Sequence, residues 1–241
     1  MKIVRRLYEE LKNEEVEIKD VWLGLHWTAV ESMYVGMAHT YKTDSKIQVE
    51  NAGSFTGLDV RKVIKMALSK EPLNASVGIA AINSLIKPIG IEESVNPYIE
   101  KESKGKTICI IGRFPFNDEM RKIAKKTYIL EFEPLPGELP SDACEEVVPK
   151  ADINIITATT LINGTIDHLL EISSGKNIVL GPSTPMHPIL FEYGIDVLAG
   201  VRVVDKMLLQ RAIVQGVKKF KQLGGTKPIT LYKSEYKKRK F

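Results

Sequence analysis

Thr157, Thr159, Thr160, Asn163 and Thr165 place four hydroxyls and one side-chain amide in a single short stretch, ADINIITATTLINGT, Ala151–Thr165. Such groups donate and accept hydrogen bonds, and Gly164 among them lets the backbone approach a ligand closely. The chemistry they suit is the holding of a polar molecule. The alternative is local, with Asn163 or Thr165 capping the helix that follows. One cap uses one such residue, so the surplus points to a turn that faces a ligand.

Four other stretches carry groups of the same kind. Gln48–Asp59, QVENAGSFTGLD, holds Asn51, Ser54 and Thr56 among glycines whose freed amides could cradle an anion or a polar ligand. Its other reading is a turn with Asp59 as a helix N-cap. Asn83 is a lone amide in the apolar GIAAINSLI and needs a partner, either neighbouring backbone or a cleft. Arg113 beside Phe114 offers a charged fork and a flat ring to an anionic or aromatic ligand, or else a surface ion pair. GPSTPMHP, Gly181–Pro188, brings Ser183 and Thr184 to a proline-stiffened turn. His187 in that turn is a catalytic or ligating group only if it points at a cleft.

These residues need a scaffold, and the hydrophobic pattern supplies one. Asp152–Ile156 is a β-branched run that ends abruptly at the Thr cluster, and Ile166, Leu169 and Leu170 then return at helical spacing. The unit is strand, polar turn, helix. From Lys106 onward such units alternate: strands over Lys106–Ile111, Thr127–Phe132, Asn177–Leu180 and Asp196–Leu198, helices over Asp118–Lys126, His187–Tyr193 and Lys206–Val217, and a short helix containing Ala143–Val148. That alternation predicts parallel strands with crossover helices, a Rossmann-like domain whose ligands bind outside the carboxyl ends of the strands.

Before it, an amphipathic helix with Val4, Leu7, Tyr8 and Leu11 on one face precedes two expected strands, Val21–Trp27 and Met33–Tyr41, with TAVES as their turn. Two helices follow, beginning near Asp59 and Asn74. The chain therefore divides into an α+β domain, 1–95, and a Rossmann-like α/β domain, 96–241, joined through the irregular stretch Ile89–Lys106.

A standard dinucleotide turn is absent, since GRFPFND stands where GxGxxG would be. Glu131 and Glu133 do follow the second strand about twenty residues beyond Gly112, the distance at which an acid meets a ribose, which keeps a nucleoside-containing ligand open. Metal ligation is not visible in the spacing. Cys109 and Cys144 make no metal pattern, Cys109 reads as a buried thiol, and His26 and His39 read as ordinary strand residues. Glu131, Glu133 or Asp152 could supply oxygen to a harder cation. No GxSxG elbow is present, and the catalytic residues are unknown.

The bounds agree with a globular protein: 241 residues, 44% hydrophobic and 27% charged, with a formal charge of +4. No apolar stretch is long enough to span a bilayer, and the first residues do not form a signal peptide, so the expectation is a cytoplasmic protein without a membrane partner. The basic tail, Lys237–Phe241, reads as a solvated terminus; with no recognised nucleic-acid motif beside it, a nucleic-acid partner is not expected. A homo-oligomer is left open.

Taken together, NAGSFTG (Asn51–Gly57), GIAAINSLI (Gly78–Ile86), IGRFPF (Ile111–Phe116), ADINIITATTLINGT and GPSTPMHP resemble the "putative heavy-metal chelation" proteins, and the resemblance covers nearly the whole chain. It implies an N-terminal domain similar to that of enolase, a Rossmann-like second domain and a functional cleft between them. The implied ligand is a small polar or metal-chelating molecule. The protein is then either an enzyme of chelator metabolism or a non-enzymatic protein that sequesters a metal or a metal-chelate complex.

Overall fold

The apolar stripe of the first residues folds as expected. In this computed structural model, which describes residues 1–41 and 48–238, helix α1 (Lys2–Leu11) buries Ile3, Val4, Leu7 and Leu11. The next segment departs from the expectation. TAVE is not a turn but the body of a strand, and there are three strands instead of two: β1 (Asp20–Leu23), β2 (Trp27–Glu31) and β3 (Val35–His39), antiparallel in that order. The chain reverses at Gly24, whose N–H reaches the Trp27 carbonyl at 2.9 Å, and at Ser32, whose N–H reaches that of Tyr34 at 2.9 Å. The physical reason is burial. Thr28, Ala29 and Val30 are wholly covered, which a central strand requires and a turn cannot offer.

Asp59 caps α2 (Val60–Lys65) through the Arg61 N–H, and α3 (Pro72–Leu85) is buried almost all round. Two glycines allow this. A Cβ on Gly36 would stand 2.2 Å from the Ala80 carbonyl oxygen, and one on Gly78 would stand 1.9 Å from the Ala67 nitrogen. So β3 lies against one side of α3, and the short 3-10 turn Met66–Leu68 lies against another. Within the stretch expected to be irregular, α4 (Asn96–Ser103) forms with Pro97 in its first turn, where a missing N–H costs nothing. Its only buried apolar residue is Ile99, too little for a legible period.

The second sheet has seven strands: β4 (Thr107–Ile111), β5 (Lys126–Glu131), β6 (Leu139–Pro140), β7 (Ile153–Thr157), β8 (Lys176–Leu180), β9 (Val197–Val203) and β10 (Thr226–Tyr232). Their spatial order is β10-β9-β8-β7-β4-β5-β6. Every pairing is parallel except β10 on β9. Helices α5 (Asn117–Ile123), α6 (Cys144–Val147), α7 (Thr160–Asn163), α8 (Ile166–Ile172), α9 (Lys206–Val214) and α10 (Lys233–Lys238) accompany them. The antiparallel strand β10 was not expected. It carries Pro228 and closes an edge, where proline is tolerated and alternation is weak. The element at Pro188–Tyr193 is a 3-10 helix rather than an α-helix, bounded by Pro188 and by Gly194 at φ 86°.

Strands β4, β5 and β6 run to one side of the sheet, and β7, β8 and β9 run to the other. The order therefore reverses between β4 and β7, the place where a crevice opens in such sheets. One apolar core runs from α1 and α3 of the first half to Leu161, Ile162 and Leu190 of the second. At its edge the chain terminus is held by Asp167, whose carboxylate lies 2.9 Å from the Met1 ammonium and accepts the Lys2 and Ile3 N–H groups. No described helix is long and apolar enough to cross a membrane. The basic run at the end of the chain lies outside the described side chains.

Candidate functional site

Strand β7 delivers the Thr cluster to the sheet's carboxyl edge, and there a cavity of about 1340 Å³ opens. Thr157, Thr159, Thr160, Asn163 and Thr165 all line it, joined by Arg113 and Phe114 after β4, Glu131 at the end of β5 and Ser183 after β8. Its far wall belongs to the first half of the chain, through Trp27, His39 and Tyr41. Ser183 joins the two halves, since its Oγ accepts the His39 N–H at 2.8 Å and its carbonyl accepts Asn83 Nδ2 at 3.1 Å. Asn83 also donates to the Met37 carbonyl at 2.8 Å. It is a bridge behind the wall, not a lining residue.

The Thr cluster lines the cavity and is also bonded within its own turn. Asn163 Oδ1 accepts the Thr165 N–H at 3.1 Å and its hydroxyl at 2.8 Å, so Asn163 does secure the start of α8. Its Nδ2 donates to the Tyr41 phenol at 3.2 Å, joining two lining residues from the two halves. Thr160 is nearly fully buried and its hydroxyl donates to the Thr157 carbonyl at 2.6 Å. Thr157 and Thr159 pair their hydroxyls at 3.1 Å, and both residues are only half-buried.

Arg113 makes the ion pair that its alternative reading required, with Nη2 2.6 Å from Glu138 Oε2 and Nε 3.1 Å from Oε1. That hydrogen bonding holds the Glu138 carboxyl at about 2, against an ordinary 4.5. Glu131 moves the other way: burial pushes its carboxyl up, and nearby Arg113 only partly offsets this. Phe114 and Phe116 lie parallel with centroids 5.2 Å apart, a flat apolar step at the cavity's side.

Several expected residues lie elsewhere. Asn51 and Thr56 are exposed and do not line the cavity. Their loop packs on residues 16–18 instead: the Gly57 N–H bonds the Ile18 carbonyl at 2.8 Å, and Glu17 bridges Asp59. The expected opposition of this loop to the Thr turn is therefore not what forms, because Gly57 ties the loop to that neighbouring segment and the Ala52, Ser54 and Leu58 amides bond within the loop itself. Glu133 is exposed outside the cavity and offers Arg113 only its carbonyl. Thr184 turns toward Asn83 and Met186, away from the main cavity. His187 accepts the Ile189 N–H at 3.3 Å as a helix cap and does not line the wall, and burial lowers its pKa. Asp152, at the opposite end of β7, accepts the Thr107 N–H at 2.8 Å, so no oxygen cluster forms with Glu131.

Other site residues were not expected. His39 lines the wall and meets Trp27 edge to face at 5.6 Å. Cys144 and His168 stand on the rim, and with Glu145 their ligating atoms all lie within 4.8 Å of one another. Spacing alone conceals this group, because its members come from two helices joined only by the fold. Cys109, in contrast, is fully buried and its thiol is pushed up to about 12.

Sequence profiles decide the relationship. The profile of DUF364, described as "Putative heavy-metal chelation", matches residues 97–229, and that of DUF4213, with the same description, matches residues 5–86. The chain belongs to the DUF364 family. An uncharacterized protein of Methanocaldococcus jannaschii is 27% identical over 187 residues, 72% of this chain and 71% of that one. Among DUF364 crystal structures, one of unknown function from Desulfitobacterium hafniense matches with a TM-score of 0.85 at 24% identity, over 96% of this chain and 100% of that one. A second of unknown function, from Pyrococcus horikoshii, matches with a TM-score of 0.78 at 18% identity, over 95% and 99% of the two chains. At such identities these two carry the fold alone.

Proposed function

We propose that this DUF364 protein binds a small polar, metal-chelating molecule in the cavity between its two halves. The observation that carries the reading is the convergence on one cavity of Thr157, Thr159, Asn163, Thr165 and Ser183 from the second half with His39 and Tyr41 from the first. A site of this size, mostly apolar with a few polar groups, fits an organic ligand better than a bare ion. The strand order supports a Rossmann-like second domain. The separate profile matches over 5–86 and 97–229 support a boundary near residue 95.

Glu131 favours chemistry on that ligand over simple storage. Its carboxyl is half-buried at the end of β5, shifted up by burial and open to the cavity, a setting in which a group can take and return a proton. The cavity it shares with the Phe114 and Phe116 rings also suits a ligand with a ribose and a base. Sequestration of a metal-chelate complex without turnover is the other reading, and it needs no such group.

Native mass spectrometry of the purified protein with elemental analysis tests the proposal. An organic mass held non-covalently, with or without a metal, supports it. A protein that retains none and binds none from a panel of polar chelators does not.

A further inference from the structure

We infer that Cys144, Glu145 and His168 form a binding site for a soft or borderline divalent ion such as Zn²⁺ or Cd²⁺ at the rim of the cavity. The inference deepens the proposed function and rests on it only for what the ion would meet there. The donors themselves stand independently of any organic ligand.

The donor set is one sulfur, one oxygen and one imidazole nitrogen, a combination that suits zinc-like metals rather than Mg²⁺ or Ca²⁺. In a tetrahedral zinc site neighbouring ligand atoms stand roughly 3.3–3.8 Å apart, as bond lengths near 2.0–2.3 Å require. Here the three atoms already lie within 4.8 Å of one another. His168 Nε2 and Glu145 Oε1 share a hydrogen bond of 2.5 Å, and side chains 52% and 63% exposed can rotate to admit an ion. Cys144 and Glu145 are fixed as neighbours at the start of α6, while His168 rides on α8, which packs against the turn that follows α6. Binding would release the thiol proton of Cys144 to solvent and leave a thiolate on the metal.

Orientation gives the site its use. Cys144 and His168 line the cavity with Ser141, Asp142 and Thr165, whereas Glu145 does not. Three protein ligands leave a tetrahedral ion one open position. With Glu145 on the outer side, that position faces the cavity, where the donor atoms of a chelating molecule could complete the shell.

Cd²⁺ alone is the probe, titrated into the full chain by calorimetry while the ultraviolet thiolate-to-metal charge-transfer band is followed. One ion per chain with such a band is expected. Cys144→Ser should abolish the band, and His168→Gln should weaken binding by at least about tenfold, since even outer partners of metal ligands are worth that much. His26→Gln, at the turn between β1 and β2, should change neither. Absence of stoichiometric binding would overturn the site. So would a band indifferent to both His168→Gln and Glu145→Gln, which would mean a lone thiol reacting. A retained organic mass without Cd²⁺ binding removes the metal site and spares the cavity reading, and the reverse result does the opposite.

Discussion

The amide nitrogen of Asn163 stands 3.2 Å from the phenol oxygen of Tyr41. One residue closes the turn after β7 and the other follows β3, so this hydrogen bond ties the two halves together at the cavity wall. Asn163 also accepts the N–H and the hydroxyl of Thr165, the residue just before α8, and the two roles can be separated. Tyr41→Phe removes only the bridge and should cost about 1 kcal/mol of stability, whereas Asn163→Ala removes the bridge and the bonds to Thr165 and should cost about 2 kcal/mol. Urea unfolding of both variants measures the difference. Equal losses would mean that the bonds to Thr165 contribute nothing.

Arg113 and Glu138 predict a pH effect. The folded pKa of Glu138, about 2, lies below its ordinary 4.5. The pair therefore stabilises the fold above the ordinary carboxylate range, and that contribution is lost as pH falls through about 2. Arg113→Met should move Glu138 upward in an NMR titration and raise Glu131 further, because Arg113 partly offsets its burial. An unmoved Glu138 would assign its low value to the Leu135 N–H, its other donor at 2.9 Å.

Gly78→Ala should destabilise although alanine favours a helix. The gain in propensity is about 1 kcal/mol. Against it, the new Cβ would fall 1.9 Å from the Ala67 backbone nitrogen, which cannot rotate away. Overpacking of this kind costs roughly 1–3 kcal/mol or more, so a net loss in thermal unfolding is expected. A higher melting temperature would show that α3 and the turn at Met66–Leu68 can part without cost.

These cases also show what the sequence could reveal. The Thr turn was legible because the isoleucine-rich β7 stops at once at the Thr cluster, and position at a strand's carboxyl end follows from the alternation of elements. Arg113, Phe114 and Ser183 followed by the same logic. The first half was less legible. Thr28 is polar by type yet fully buried, with its hydroxyl 2.8 Å from that of Thr40, so the middle strand looked like a turn. Asn51 and Thr56 have suitable types, but their loop's partners at residues 16–18 are distant in sequence. His39 ends β3 and Tyr41 follows it, and only the docking of two sheets makes them part of a wall. Cys144, Glu145 and His168 meet through helix packing that no spacing rule encodes.

The central claim is that the cavity holds a ligand on the hydroxyls after β7. Thr157→Val tests it most directly, since it keeps shape and deletes a half-buried hydroxyl whose protein partners are the Thr159 hydroxyl at 3.1 Å and, at 3.4 Å, the Thr159 N–H. The occupancy of the co-purified mass, measured by native mass spectrometry across a dilution series, should report binding weakened by roughly 1–3 kcal/mol, about five- to a hundredfold, with the melting temperature nearly unchanged. Occupancy identical to the unsubstituted protein at every dilution would place the ligand elsewhere and contradict the account.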